Sequence, residues 1–420
     1  MLVTMLLGVL AAPAVGLADQ PHTAPSVAAY ESAYRSAGGF HASAAGAAIP
    51  AWARKYSMNC NGCHLPAVPR LNSFGFKFKW AGYRLPEEIG EKTEVSDISD
   101  YVAARLRVRY NFSKTEGSSP TTSEFALSDA TLFAGGAFGK HFGAFLEFEH
   151  AVGETELVNH VMGVWGAAES YGGARVGQMH WLLRGAVAGF DRPTGISTPI
   201  PLSTQLTSAL PFKFSTDQLG LEGFWVRGNN RFSAEVLNGV RETGIADEGD
   251  DRAKDVAVID QFLFDKQGSG ITAVGYLGRI HGADPSDPGL TSKFTRLAVS
   301  ANKVFGAAEA MAGYAYGKDT DLPIGFGSAF ATESVKGQGF WVYGGYTLPS
   351  NKLTLFGRYE FVDPNTDLSD NGRSRFVVGS VLPVSLPEYL RFTVEYTLDK
   401  PQLSGSKAKH GLVGEVMVNF

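Results

Sequence analysis

Residues 101–112 read YVAARLRVRYNF, and the alternation in them decides the fold. Val102, Ala104, Leu106, Val108, Tyr110 and Phe112 fall on one face, and Arg105, Arg107, Arg109 and Asn111 on the other, which is the period of an extended strand. Residues 142–149 repeat it, with Phe142, Ala144, Leu146 and Phe148 opposed to Gly143, Phe145, Glu147 and Glu149. Late in the chain Leu390, Phe392, Val394, Tyr396 and Leu398 alternate with Arg391, Thr393, Glu395 and Thr397. The last strand sets Leu412, Val416, Val418 and Phe420 against Val413, Glu415, Met417 and Asn419.

Segments of this kind recur at a spacing that gives about 16 strands of about ten residues, the length a tilted strand needs to cross a bilayer. The fold class expected is all-β, a transmembrane antiparallel barrel over residues 100–420. Short connections near 139–140, 228–230, 305–306 and 349–352 sit between long ones near 183–218, 241–255, 318–336 and 363–373. Short periplasmic turns and long external loops are the pattern of such barrels. A soluble sandwich or jelly roll also alternates, but its strands are shorter, about five or six residues. Here the segments run longer and end in aromatics such as Tyr110, Phe112, Tyr396 and Phe420.

The 420 residues carry 50 glycines, 19% charged side chains and a formal net charge of -5, which leaves no general basic surface and argues against a nucleic-acid partner. Aromatics at 12% run through most of the chain and exclude a disordered protein. Residues 1–18 read as an export signal: the apolar run 5–18 is too short to span a membrane and ends in the small residues of Gly16-Leu17-Ala18. Residues 19–48, rich in Ala, Ser, Gly and His without apolar periodicity, read as a flexible tether.

Only two cysteines occur, in Cys60-Asn61-Gly62-Cys63-His64, the spacing of covalent c-type haem attachment. Two thiols form thioethers to the porphyrin, and the adjacent imidazole, His64, reaches the iron as axial ligand. A thioredoxin-like pair would need a βαβ setting and no such histidine, and a structural zinc site would need two further ligands close by. The haem segment, residues 49–99, is too short for an independent core. Trp52, Tyr56, Phe74, Phe76, Phe78, Trp80 and Tyr83 supply aromatic surface to cover a porphyrin and press against a second wall. The barrel lumen is the nearest wall, so the segment is expected to enter from the periplasmic end and plug it. Arg105, Arg107 and Arg109 line the inward face just downstream and could pair the propionates; equally, they could be an ordinary charged lining balanced by Glu147, Glu149, Glu360 and Glu395.

Pro50-Ala51-Trp52-Ala53-Arg54-Lys55-Tyr56, then Cys60, Cys63 and His64, then Pro69, Leu71-Asn72, Phe74-Gly75, Phe78 and Gly82-Tyr83, resemble the N-terminal signature of the fused monohaem cytochrome c–porins, which include outer-membrane iron oxidases of iron-oxidising bacteria. The detailed likeness lies in the haem segment, the remainder agreeing as a barrel pattern, and Trp52 stands where family members often carry Phe. The resemblance implies one covalent haem c on Cys60 and Cys63, His64 as axial ligand, and electron movement across the cell outer membrane, with both chain termini periplasmic. An extracellular reductant, Fe(II) first among candidates, would give electrons that pass to a periplasmic electron-carrier cytochrome, an Fe(II):cytochrome c oxidoreductase activity. Other relatives take substrates that are not iron.

The second axial ligand is not marked: His150, His160, Met162, Met179, His180 and His41 are candidates, and Met58 is too near the attachment site to fold comfortably over the other face. Asp247, Glu248, Asp250, Asp251 and Asp255, with Asp363, Asp367 and Asp370, give external loops that could gather a hard cation or be plain solvated loops. Two other readings stay open, a diffusion porin with a haem-bearing plug or sensor and a membrane-bound haem peroxidase.

Overall fold

The computed structural model describes residues 51–420 except 59, 66–69, 119–120, 152–153, 180–186, 189–191, 241–253, 282–290, 323–333, 349–352, 385–389, 404 and 420. The export signal, the tether, His41, His180, the acids at 247–251 and Phe420 lie outside the described residues.

The first half of the barrel is β1 (Val102–Thr115), β2 (Thr122–Phe138), β3 (Phe142–Ala151), β4 (Glu154–Ala167), β5 (Ser170–Met179), β6 (Gln218–Arg227), β7 (Asn230–Leu237) and β8 (Asp255–Leu263). The second half is β9 (Gly270–His281), β10 (Thr291–Phe305), β11 (Ala308–Thr320), β12 (Ser334–Thr347), β13 (Thr354–Asp363), β14 (Arg373–Val384), β15 (Leu390–Pro401) and β16 (Lys409–Asn419). Each strand pairs antiparallel with its sequence neighbours, and β1 closes the cylinder on β16 from Arg105↔Asn419 to Thr115↔Lys409. No edge remains, so every strand's polar backbone can be satisfied within the wall, as a hydrocarbon environment requires.

Which face is buried shows what surrounds the cylinder. Leu106 and Val108 are 42% and 46% exposed, Trp225 53%, while Arg107, Glu222, Arg296, Glu360 and Glu415 are buried. In β8 the alternation is strict: Asp255, Ala257, Ile259, Gln261 and Leu263 are buried, and Val256, Val258 and Phe262 are exposed. A soluble sheet has the opposite arrangement. An apolar outer belt around a charged interior, on a closed even-stranded wall, is the surface of a barrel in the outer membrane. Among the described residues no helix is long and apolar enough to cross a membrane.

The interior is filled from two sides. From the N-terminal side come α1 (Ala51–Lys55), a 3-10 turn (Cys60–Gly62) and α2 (Ser73–Trp80). Phe76, Trp80 and Ala81 pack on Met162, Val164, Tyr171, Phe224 and Val226 of the wall. Arg84 donates to the carbonyl oxygens of Lys140 (2.7 Å) and Phe142 (2.5 Å), and Thr93 bridges Gly139, so this segment lies at the end of the barrel where the short β2–β3 turn sits. Gly143 permits the contact: a Cβ there would overlap the Gly82 carbonyl. Ser73 meets the β8–β9 turn, its amide donating to the Lys266 carbonyl at 3.3 Å and its hydroxyl to that of Asp265.

The second filling corrects an expectation. The β5–β6 connection, read as an external loop, runs inside the lumen over its described residues. It carries α3 (Ile200–Ser203) and packs Ile200, Leu202, Leu206, Leu210, Phe212 and Phe214 on Tyr276, Phe294 and Trp341 of the wall. Its polar groups are met by inward carboxylates: the Ile200 amide donates to Glu360 at 2.6 Å, the Leu210 amide to Asp319 at 2.9 Å, and the Thr194 hydroxyl to Glu395 at 3.0 Å. Apolar side chains have no reason to face water, and the lumen offers them Phe294 and Trp341. Of the other long connections expected, 241–253 and 323–333 lie outside the described residues, and residues 364–372 join β13 to β14. On that side, however, β3 and β4 are joined by only residues 152–153, an exception to the alternation of lengths.

Candidate functional site

Cys60, Cys63 and His64 line one cavity of about 440 Å³ between the N-terminal segment and the wall. The local chain explains their convergence. The 3-10 turn directs the amides of Cys63 (3.2 Å) and His64 (2.9 Å) to the Cys60 carbonyl, and the chain then folds back: Leu65 donates to Arg70 (2.9 Å) and Asn72 to Cys63 (2.9 Å). Asn72 locks this return. Its side chain accepts the Gly75 amide at 3.0 Å, capping α2, and donates to the Gly62 carbonyl at 2.9 Å. Gly75 is required there, because a Cβ would overlap the Cys63 carbonyl.

Aromatic rings from both sides contribute to the remaining lining: Trp52, Tyr56, Phe74, Phe76 and Phe78 from the segment, and Phe133 and Phe145 from the wall. Trp52 donates through Nε1 to the Gly135 carbonyl at 2.8 Å and stacks on Tyr83 at 4.9 Å and 19°. Tyr83 shares a hydrogen bond of 2.6 Å with His160 Nε2 on β4, and its backbone sits at φ 64°, a conformation that costs a non-glycine residue about 1–3 kcal/mol. Burial pushes the Tyr83 hydroxyl up, so it stays protonated. Tyr56, raised by burial and by its 2.7 Å bond to Glu88, does the same.

Neither Cys60 nor Cys63 is in a disulfide, and burial, with a smaller contribution from Cys60, pushes the Cys63 thiol up to about 12. The described strands pair only antiparallel with their sequence neighbours, so the βαβ setting of a thioredoxin-like redox pair is absent around these thiols. Among the described residues no group of three or more His, Cys, Asp or Glu side chains could hold a bare metal ion. Two thiols and an imidazole converging on an aromatic cavity, within the volume range of cofactor pockets, are a donor set and enclosure that fit haem c.

Of the three arginines, only Arg105 lines the cavity. It is already held by Glu149 (2.7 Å), Asp129 (3.2 Å) and Glu147 (3.4 Å). Arg107 pairs with Asp129 and, at 3.4 Å, Glu149, and Arg109 with Glu415 at 2.7 Å. The regular register sets Arg107 opposite Asp129 with Arg105 two residues away; beyond it a bulge leaves Ser128 unpaired and sets Arg109 opposite Ala126. Sequence reasoning missed four further lining cations: Arg70, bound to Glu309; Lys79 of α2; Arg175, bound to Glu222 at 2.8 Å; and Arg192 from the inward connection. Burial opposes the Arg70 charge, but Glu309 outweighs it and holds the guanidinium above its usual range.

His160 and Met58 line the cavity; His150 is exposed, Met162 packs beside Trp80, and Met179 belongs to the core of the inward connection. Met58 lines the cavity from the attachment turn itself, its Cε packed against Gly62. Of the acids, Asp255 is buried in β8 and accepts from Tyr276 at 2.5 Å and the Arg279 amide at 2.9 Å.

No family model matches the chain. No curated protein matches it either. Solved structures do: OmpF of Salmonella typhi in complex with daunomycin (13% identity, 76% of this chain, 97% of that one, TM-score 0.53), an anion-selective porin from Comamonas acidovorans (10%, 76%, 98%, 0.53) and the outer membrane channel DcaP of Acinetobacter baumannii (12%, 76%, 96%, 0.50). The likeness is one of fold. With the lipid-facing belt and even strand number, it defines the class of this chain as a porin-type barrel of the bacterial outer membrane.

Proposed function

We propose that the chain is an outer-membrane electron conduit of the fused cytochrome c–porin kind. Haem c is attached to Cys60 and Cys63 with His64 as axial ligand; an extracellular donor, Fe(II) foremost, is the reductant, and a periplasmic cytochrome the acceptor. The observation that carries this reading is the placing of both thiols and His64 on one aromatic cavity inside the barrel.

When bound, the haem supplies one-electron redox chemistry. The rest is the work of the chain. Cys60 and Cys63 fix position through two bonds, Asn72 and Gly75 hold the turn that carries them, and the rings of Trp52, Phe78 and Phe145 exclude water. Arg70, Arg105, Arg175 and Arg192 provide cationic lining for carboxylate groups. The apolar inward connection and the N-terminal segment together occupy the lumen, which favours electron passage over solute diffusion. Direction of flow is set by the potentials of the two partners.

Stopped-flow mixing of purified, detergent-solubilised protein with ferrous salt tests the reading. Rapid haem reduction, lost in His64→Ala, together with negligible ion conductance in planar bilayers, is expected. A wide, persistent pore with no reduction would return the protein to the diffusion porins, and a peroxide-responsive high-spin spectrum would make it a peroxidase.

A further inference from the structure

We propose that His160, on the barrel wall, is the second axial ligand of this haem, and that Tyr83 positions it. The inference rests on reading residues 49–99 as a haem c segment. Both thiols and His64 belong to that segment, so a ligand for the other face of the iron has to come from a wall of the same cavity that His64 does not occupy. The barrel contributes Ala103, Arg105, Phe133, Phe145, Glu147, Val158, His160 and Met417, among others. Within the described lining, His160 is the one imidazole besides His64, and Met58 and Met417 are the thioethers.

Met58 is packed on the attachment turn itself: its Cε lies 2.5 Å from where a Cβ on Gly62 would stand, on the segment's own side of the cavity. Met417 comes from β16, opposite Arg107 and Arg391 in register, among the charge pairs of the wall. His160 is instead built in. It is buried, its ring lies 5.7 Å from Phe145 and 5.9 Å from Tyr83, and its Nε2 is held at 2.6 Å by the Tyr83 hydroxyl. Tyr83 is itself fixed by the Trp52 stack and by an uncommon positive φ next to Gly82. A histidine that ligates metal is held through its other ring nitrogen by a partner of this kind, which sets ring plane and tautomer. The segment and the barrel would then each supply one axial ligand, and the iron would join them.

The test is electron paramagnetic resonance and near-infrared magnetic circular dichroism of the ferric, full-length holoprotein. Wild type should be low-spin with two imidazole ligands. His160→Ala should become high-spin, regain the low-spin signal with added imidazole, and keep its covalent haem. His160→Met should show a histidine–methionine signature and a raised midpoint potential. Tyr83→Phe should stay low-spin but raise the potential, because loss of the hydrogen bond makes the imidazole less basic; a merely structural tyrosine would leave the potential unmoved. Met58→Leu and Met417→Leu should keep the wild-type spectrum. A methionine signature in wild type, or loss of the low-spin signal in either methionine variant, overturns the proposal even if His160→Ala does not fold. An unchanged low-spin His160→Ala spectrum does the same. Absence of covalent haem from wild-type protein would instead refute the reading of residues 49–99, and this inference with it.

Discussion

Replacing Asn72 by alanine should loosen the haem segment without unmaking the barrel. The side chain is buried and makes two bonds of different kinds, the α2 cap to Gly75 and the clamp to the Gly62 carbonyl. Loss of an N-cap costs about 1 kcal/mol, and a buried carbonyl deprived of its donor about 1–3 kcal/mol. Together these come to about 3 kcal/mol, local to residues 60–80. Each 1.4 kcal/mol is about tenfold in an opening equilibrium, so amide hydrogen exchange in this stretch should speed up by about two orders of magnitude, while exchange in β9 to β13 stays at the wild-type rate. Asn72→Ser keeps the capping oxygen but cannot reach Gly62, and should fall between the two. Exchange followed by mass spectrometry in detergent measures this directly. A change of less than about threefold in Asn72→Ala would mean that α2 and the packing of Phe74 to Trp80, not Asn72, hold the motif, and the account of the clamp would be wrong.

Glu309→Gln leaves the buried Arg70 guanidinium without its counter-charge and should cost about 3–5 kcal/mol of segment docking, seen as protease sensitivity of residues 51–100 at a protease level that spares wild type. Asp265 lies in the β8–β9 turn; burial opposes its charge, but hydrogen bonds from Lys303 and Ser269 win and hold the carboxyl below its usual range. Its contribution is therefore complete above the unfolded carboxyl value of about 3.9 and is lost as pH falls through the lower folded value. Exchange near Ser73 should rise below about pH 4 in wild type, and Asp265→Asn should remove that dependence. Gly75→Ala drives a methyl into the Cys63 carbonyl and should lower the fraction of protein carrying covalent haem, read by haem-stained gels. Phe212→Ala removes a fully buried ring from the inward connection, at a cost of about 3–5 kcal/mol, and should give flickering ion conductance in planar bilayers where wild type gives none.

The strands were legible because a period of two persists wherever lipid lies on one side and polar side chains on the other; residues 101–112 alone carry both the alternation and its inverted sense. The Cys60–His64 motif was legible because the chemistry proposed for it demands adjacency. What adjacency does not encode was missed. Tyr83 and His160 are 77 residues apart, and nothing local to either predicts their meeting. The run from Ile200 to Phe214 did hold a usable signal: six large apolar side chains in a connection assigned to water is a contradiction that only burial resolves. Met58 lies too near the motif in sequence to cover the far side of the cavity, and it packs on the attachment turn at Gly62. Arg107 and Arg109 could not be separated from Arg105 by pattern, since all three share a face; the bulge at Ser128 and the carboxylates opposite them make the difference.

The seam between β1 and β16 sets a timetable for biogenesis. The segment that precedes β1 is grasped by Lys140 and Phe142 early in the chain and by Asp265, Lys266 and Glu309 much later. On the reading proposed above, thioether ligation would need Cys60 and Cys63 within reach of a maturation enzyme, whereas in the finished cylinder they line a cavity between the segment and the wall. Attachment would then come first, and the staves would be drawn together around cargo already loaded, as a ship is built around an engine too large for its hatches.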